Sequence, residues 1–158
     1  MAHRNPAELV ALLGPRRPLI GLDPGEKAVG VALSDPSRSI ATPFTTLPRR
    51  PPKILVASLR AIVEAENVGA MVLGLPLNMD GTAGPSAQAA LQLGANLQRE
   101  LGIPVAFWDE RLSTAAVTRT LLEADTSRRR RAEVVDKLAA AYILQGALDS
   151  LRGTTRRD

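Results

Sequence analysis

Short apolar runs broken by turn residues fill the first third of the chain, and helical spacing takes over after them. Leu19-Ile20-Gly21-Leu22 closes at Asp23-Pro24-Gly25, and Ala28 to Leu33 closes at Ser34-Asp35-Pro36. Ile40 to Leu47 carries Phe44, Thr45 and Thr46, which favour extended backbone. Apolar runs that end in such turn residues predict three strands, near enough in sequence to form an antiparallel meander. Between Lys53 and Asn67 the apolar positions become Ile54, Leu55, Leu59, Ile62 and Val63, a helical period, with Pro51 and Pro52 where a helix start tolerates them. Met71–Leu75 predicts a strand stopped by Pro76. Pro85–Leu101 predicts a helix that Gly102 caps and Pro104 prevents from continuing. Val105–Trp108 predicts another strand, and Ser113 or Thr114 caps a helix reaching to about Glu123. A polar, mobile basic loop is expected over residues 125–132, and a last helix from about Glu133 to Leu151, ending at Gly153. Residues 1–16 read as an N-terminal appendage with a helical turn or two across Pro6–Leu13.

Three adjacent strands followed by alternating strands and helices predict an α/β fold. Its centre is a mixed five-stranded sheet, a three-strand antiparallel meander extended by parallel strands, with helices on its faces. No repeat, linker or composition break divides the chain, so residues 1–158 are expected to form a single domain.

Composition narrows the chemistry. The chain has no Cys, and its only His is His3, so thiolate sites, disulfides and a His general base drop out and any metal or acid–base work falls to carboxylates. No stretch of about 18 apolar residues is present, so no membrane association is expected and a cytoplasmic location is. The net charge of +4 is unevenly spread: nine Lys/Arg against four acids in residues 1–60, two against six in 61–118, and nine against six in 119–158. An acidic middle between basic ends suits a cation-holding site framed by phosphate-attracting surfaces, and equally suits chance and solubility.

Three acidic positions stand out. Asp23 directly follows the first strand, and Asp109-Glu110 directly follows the strand ending at Trp108; the carboxyl ends of strands in such sheets open on a crevice. Asp136 shares a helical stripe with Ala140, Ile143 and Ala147, all small or apolar. Each has a plain alternative: a turn residue, a helix-leading acid, or an acid favoured by the helix dipole. If they converge, their mutual repulsion calls for cations, and an oxygen-only donor set selects hard ions such as Mg²⁺ or Mn²⁺. Such ions activate water and stabilise the leaving oxygen of a phosphodiester.

Four ordered segments resemble those of one family. They are Gly21-Leu-Asp23-Pro-Gly25-Glu-Lys27-Ala-Val-Gly30-Val-Ala32, then Val72-Leu-Gly74-Leu-Pro76-Leu-Asn78-Met-Asp80-Gly81-Thr-Ala-Gly84-Pro85, then Trp108-Asp109-Glu110-Arg111-Leu-Ser113-Thr114, and finally Asp136-Lys137-Leu-Ala139-Ala140-Ala-Tyr-Ile143-Leu144. In this order, over roughly residues 20 to 148, the chain resembles the YqgF/RuvX family, which is similar to the Holliday junction resolvase RuvC. The resemblance implies an RNase H-like fold, a metal-dependent nuclease, and Asp23, Glu110 and Asp136 as its metal-binding acids. It further implies maturation of the 5′ end of 16S ribosomal RNA from its precursor, the reading preferred here, or resolution of branched DNA. Ala28 departs from the family pattern, which commonly has Arg after the Lys of the first segment, and this puts one phosphate contact in doubt.

Nucleic-acid contacts are sought among Lys27, Asn78, Arg111 and the run Arg128, Arg129, Arg130 and Arg131. Phosphate contacts of this kind supply affinity and salt dependence rather than sequence choice. Two readings stay open for Lys27, phosphate contact or pairing with Asp23 or Glu26, and two for Arg111, phosphate contact or pairing with Asp109. Asn78 lies in a loop whose Gly81 and Gly84 let backbone amides approach a phosphate. Trp108 is expected in the core more than against a base. Two other functions compete. An ATP-binding domain of the actin and sugar-kinase type shares the first segment's turn but needs a second domain, and no P-loop pattern is present. A non-catalytic nucleic-acid-binding assembly factor would use the basic ends without cleavage. A homodimer is neither required nor excluded.

Overall fold

The computed structural model describes residues 5–12, 17–112 and 128–155. Helix α1 (Pro6–Leu12) precedes β1 (Leu19–Pro24), β2 (Ala28–Ser34) and β3 (Ala41–Pro48). Helix α2 (Pro52–Ala65), β4 (Ala70–Leu75), α3 (Pro85–Leu101) and β5 (Val105–Asp109) follow, then a single 3-10 turn, Glu110–Leu112, and the long helix α4 (Arg128–Thr155). The five strands form one sheet in the order β3-β2-β1-β4-β5. β1, β2 and β3 pair antiparallel in sequence, whereas β4 and β5 join parallel to β1, as the sequence pattern predicts.

The pleat sorts side chains onto two faces. On one, Ile20 and Leu22 of β1, Val29 and Val31 of β2, Met71 and Leu73 of β4, and Val105 of β5 pack with Leu55 and Leu59 of α2 and Leu97 of α3. On the other, Leu19, Ala32, Ala70, Val72 and Ala106 pack under α4 through Ala139, Ala140, Ile143, Leu144, Ala147 and Leu148. Each fully buried Leu or Ile contributes about 1.5–3 kcal/mol of transfer free energy. Leu9 of α1 is fully buried in the second cluster, so this short helix is part of the core rather than an appendage beside it.

Strand ends shift by a residue or so, and three helix ends differ further from the sequence reading. α2 ends at Ala65, two residues past its last apolar position, Val63, because Asn67 takes a left-handed backbone, φ 53°, and turns the chain toward β4. Arg128–Arg131, expected in a loop, are the opening residues of α4; arginine is a good helix former, and no Gly or Pro interrupts the segment from there to Gln145. At its other end α4 continues past Gly153 to Thr155. The helix expected from Ser113 or Thr114 to about Glu123, and residues 125–127 of the basic loop, lie outside the described residues.

Candidate active site

Because β1, β4 and β5 run parallel, their carboxyl ends meet at one edge of the sheet. Asp23 sits there, 2% exposed, on the face that α4 covers. Its orientation follows from its neighbours. Gly21, two residues earlier, faces the Leu144 Cβ and the Ala140 carbonyl of α4. Gly30, paired with Asp23 across β1 and β2, lies directly under Asp136 of the same helix. On the other side of Asp23, the β1–β4 register advances from Leu22–Leu73 to bring Gly74 next to it. Gly30, Asp23 and Gly74 thus form a row across three strands, each step about 4.8 Å.

The two flanking glycines make room for the other two acids. A Cβ at Gly30 would fall 1.9 Å from the Asp136 backbone oxygen, so only glycine lets α4 approach there. A Cβ at Gly74 would fall 2.9 Å from Glu110 Oε1. Asp136 Oδ1 in turn reaches to 4.0 Å from where a Cβ on Gly25 would stand, at the turn that follows Asp23. The structure therefore seats Asp136 over Gly30 and Glu110 against Gly74, on the strands that flank the one carrying Asp23. Among the described residues no group of three His, Cys, Asp or Glu side chains stands close enough together to hold a metal ion, these three acids included. Carboxylates repel at short range and close fully only around positive charge. The donor set is oxygen throughout, with a buried aspartate at its centre, and this chemistry fits a hard divalent cation.

Arg111 resolves one open alternative. Its guanidinium grips Asp109 through Nε to Oδ1 at 3.0 Å and Nη2 to Oδ2 at 2.7 Å, and its backbone amide donates to Asp109 Oδ1 at 3.0 Å. The side-chain bonds from Arg111 hold the Asp109 carboxyl below the usual carboxylate range, against the opposing pull of burial. Arg111 Nη1 also donates to the Met79 carbonyl at 3.2 Å, tying the turn that carries Glu110 to the loop after β4. Asp109 is thereby committed to Arg111.

That loop is closed on itself. The Asn78 amide bonds the Thr82 carbonyl at 2.9 Å, the Gly81 amide bonds the Asn78 carbonyl at 2.8 Å, and Asn78 Nδ2 donates to Thr82 Oγ1 at 2.9 Å. Thr82 caps Asp80 with both its amide and its hydroxyl. Gly81 adopts φ 89°, a left-handed backbone that favours glycine. The Asn78 carboxamide thus shapes the loop, while the side chain itself stays exposed. Lys27 is exposed in the turn between β1 and β2. Arg128–Arg131 stand at the amino end of α4, about two turns before Asp136. Trp108 is partly buried against the α4 core, its indole nitrogen 3.0 Å from where a Cβ on Gly146 would lie, so it is a packing residue.

Two features escape the sequence reading. The close approach of α4 at Gly21, Gly30 and Gly74 is one; the nearest signal was the abundance of glycine in the matched segments. The other is Arg49, just after β3, whose Nη1 donates to the Gly25 carbonyl at 2.7 Å and to the Pro24 carbonyl at 3.4 Å. A basic residue one step beyond the strand that pairs with Lys27's strand was the available hint.

The sheet order, the helix crossing one face and the acids at one edge define an RNase H-like fold with a carboxylate site. The comparisons with known proteins agree: the chain superposes on T. thermophilus RuvC in complex with Holliday junction substrate with a TM-score of 0.55 at 14% identity, over 87% of this chain and 97% of that one. The chain belongs to the RuvX family, described as Holliday junction resolvase, whose profile matches residues 17–150. A protein of Paramagnetospirillum magneticum named "Putative pre-16S rRNA nuclease" is 58% identical over 148 residues, covering 94% of this chain and 96% of that protein. One of the same name from Roseobacter denitrificans is 51% identical over 154 residues, covering 96% and 94%.

Proposed function

We propose that the chain is a divalent-metal-dependent nuclease that hydrolyses phosphodiester bonds in the maturation of the 5′ end of 16S rRNA. The observation that supports this reading is the buried Asp23 at the end of β1, with Asp136 seated over Gly30 of β2 and Glu110 against Gly74 of β4. The likeness to relatives named as pre-16S rRNA nucleases, which extends over nearly their whole length, supports the choice of substrate.

Asp23, Glu110 and Asp136 are the residues that would hold Mg²⁺ or Mn²⁺. When bound, such an ion supplies charge neutralisation at the scissile phosphate and acidifies water. The chain's own residues do the rest. Asp23, fixed at a strand end and buried, anchors the site rigidly. Glu110 is oriented by the 3-10 turn that Arg111 and Asp109 lock to the β4–α3 loop. Asp136 is fixed because its own backbone rests on Gly30. On this reading Lys27 and the run Arg128–Arg131 would contact phosphates, the latter assisted by the positive end of the α4 dipole. Asn78 and Arg111 line the same edge; Arg111 reaches substrate only with the part of its guanidinium that Asp109 leaves exposed.

The test is incubation of the purified protein with an RNA spanning the 16S precursor 5′ end, with Mg²⁺, with Mn²⁺ and with EDTA. Cleavage at the mature end in either metal, abolished by EDTA, is expected. Asp23→Asn and Glu110→Gln should lower the rate on the order of a thousandfold or more while leaving the thermal transition in place. Intact RNA alongside cleaved four-way DNA junctions would replace the rRNA assignment with a resolvase. Intact RNA and DNA, with RNA binding that persists in EDTA, would leave an assembly factor instead.

A further inference from the structure

Arg49 lies outside the four segments that carry the family likeness, and on the nuclease reading above it stands next to the site without being one of its acids. Its backbone amide donates to the Lys27 carbonyl at 3.0 Å, continuing the β2–β3 ladder one residue past the Ala28–Pro48 pair. Its guanidinium then turns back over the Asp23-Pro24-Gly25 turn, where Nη1 bonds the Gly25 carbonyl at 2.7 Å and reaches the Pro24 carbonyl at 3.4 Å. Inside the same turn, the Gly25 amide donates to the Asp23 carbonyl at 3.0 Å. One side chain therefore clasps the two peptide units that immediately follow Asp23, and Asp136 Oδ1 lies 4.0 Å from the position of a Cβ on the second of them.

We infer that Arg49 is a positioning residue for the carboxylate site: it fixes the turn after Asp23, and through it the spacing between Asp23 and Asp136. Three physical points support this role. Hydrogen bonds from a charged donor to carbonyls are stronger and shorter than neutral ones. Arg49 is half-buried, so water competes less for those carbonyls than it would at an open surface. Both bonds leave from Nη1, whose two N–H groups are fixed in the guanidinium plane, so they set the direction of the carbonyls in a way that a freely rotating lysine ammonium does not. The clasp is also long-range, joining residues 24 and 25 positions apart in sequence, so it couples the end of β3 to the end of β1.

The full chain is tested as Arg49→Ala and Arg49→Lys, with four readouts: Mn²⁺ affinity by calorimetry, kcat and KM on precursor 16S RNA, the salt dependence of RNA binding, and amide exchange at Gly25. In Arg49→Ala, Mn²⁺ affinity and kcat are expected to fall about 10- to 100-fold, the usual consequence of losing a residue that orients metal ligands. KM and the salt slope should stay at wild-type values, and the Gly25 amide should exchange faster. Arg49→Lys, which keeps the charge, should likewise keep KM and the salt slope at wild-type values and recover Mn²⁺ affinity and kcat only in part. A raised KM with a salt slope lowered by about one would make Arg49 a phosphate contact and overturn the inference. A lowered melting temperature with Mn²⁺ affinity and kcat unchanged would make it a structural brace and overturn it as well. Wild-type protein that neither binds Mn²⁺ nor cleaves RNA would bring down the nuclease reading and this inference together. Wild-type protein that does both, matched by its variants, would overturn this inference alone.

Discussion

The two faces of the sheet are built from different residues for different ends. Under α2 and α3 the strands present Ile20, Leu22, Val29, Val31, Met71, Leu73 and Val105, large side chains that hold the helices away from the backbone. Under α4 they present Gly21, Gly30, Ala32, Ala70, Gly74 and Ala106 beside Leu19 and Val72, and the helix answers with Ala139, Ala140, Gly146 and Ala147 among Ile143, Leu144 and Leu148. The first face gains stability from apolar area. The second gives up area to bring a helix backbone almost onto the strands, and this close seat is what sets Asp136 over Gly30, the residue paired with Asp23. Stability and site geometry are thus largely assigned to opposite sides of one sheet.

Removing bulk from the large-residue face should test that division first, because its effect on stability is the greatest. Leu59 of α2 is fully buried there. Leu59→Ala should lower the unfolding free energy by about 2–5 kcal/mol, as buried Leu truncations do, seen as a drop in melting temperature or denaturant midpoint. At a temperature where the variant is still folded, its kcat and Mn²⁺ affinity should match the wild type. A loss of kcat in the folded variant would show that the two faces are not separable.

Adding bulk to the other face should do the reverse. Gly30→Ala puts a methyl group 1.9 Å from the Asp136 backbone oxygen, and a helix backbone cannot yield as a side chain does. A cost of about 1–3 kcal/mol is expected, together with a kcat loss out of proportion to it, because the shift moves Asp136 itself. Gly74→Ala meets the ends of two flexible side chains instead, Ile143 Cδ1 at 2.6 Å and Glu110 Oε1 at 2.9 Å. Its stability cost should be the smaller of the pair, while kcat still falls through Glu110. Unfolding curves and single-turnover rates on the two variants separate these outcomes. If both destabilise equally and leave kcat untouched, the glycines serve packing alone.

The sequence made one half of this arrangement legible and hid the other. The strands and α3 were readable because their signals are local: alternation or apolar runs, Asp-Pro-Gly at the end of β1, Gly102 at the end of α3, which indeed adopts φ 70°. The stripe of Ala140, Ile143 and Ala147 behind Asp136 was readable for the same reason, and all three are fully buried. Glycine carries no such signal. Whether Gly30 marks a turn, a bulge or a close approach depends on a helix that begins about a hundred residues later. Arg49 was hidden for a related reason, since a basic residue at a strand end looks solvated until the chain folds back and offers it two carbonyls. The opening of α4 was misplaced because four consecutive arginines suggest a solvated loop, although each is compatible with helix.

The smallest expected effect lies off both faces, at the end of the sheet opposite the site. Asp35 follows β2, where its carboxylate accepts the Ser39 and Ile40 amides at 2.8 and 2.9 Å and the Ser37 hydroxyl. Burial pushes its pKa up, but these hydrogen bonds outweigh that and hold it at about 2 against an ordinary 3.8. Since the folded value is the lower one, the charged form is the better bound, and the turn's contribution is complete above the unfolded pKa and lost as pH falls from about 4 toward 2. After allowance for solvent screening at this partly exposed position, it should amount to about 1 kcal/mol. Asp35→Asn should therefore flatten the acid limb of the stability curve over that interval, measured as melting temperature against pH, with kcat at neutral pH unchanged. A variant that keeps the full acid limb would place its origin in the other carboxylates that hydrogen bonds hold below the ordinary range, such as Asp109 on Arg111, rather than in this turn.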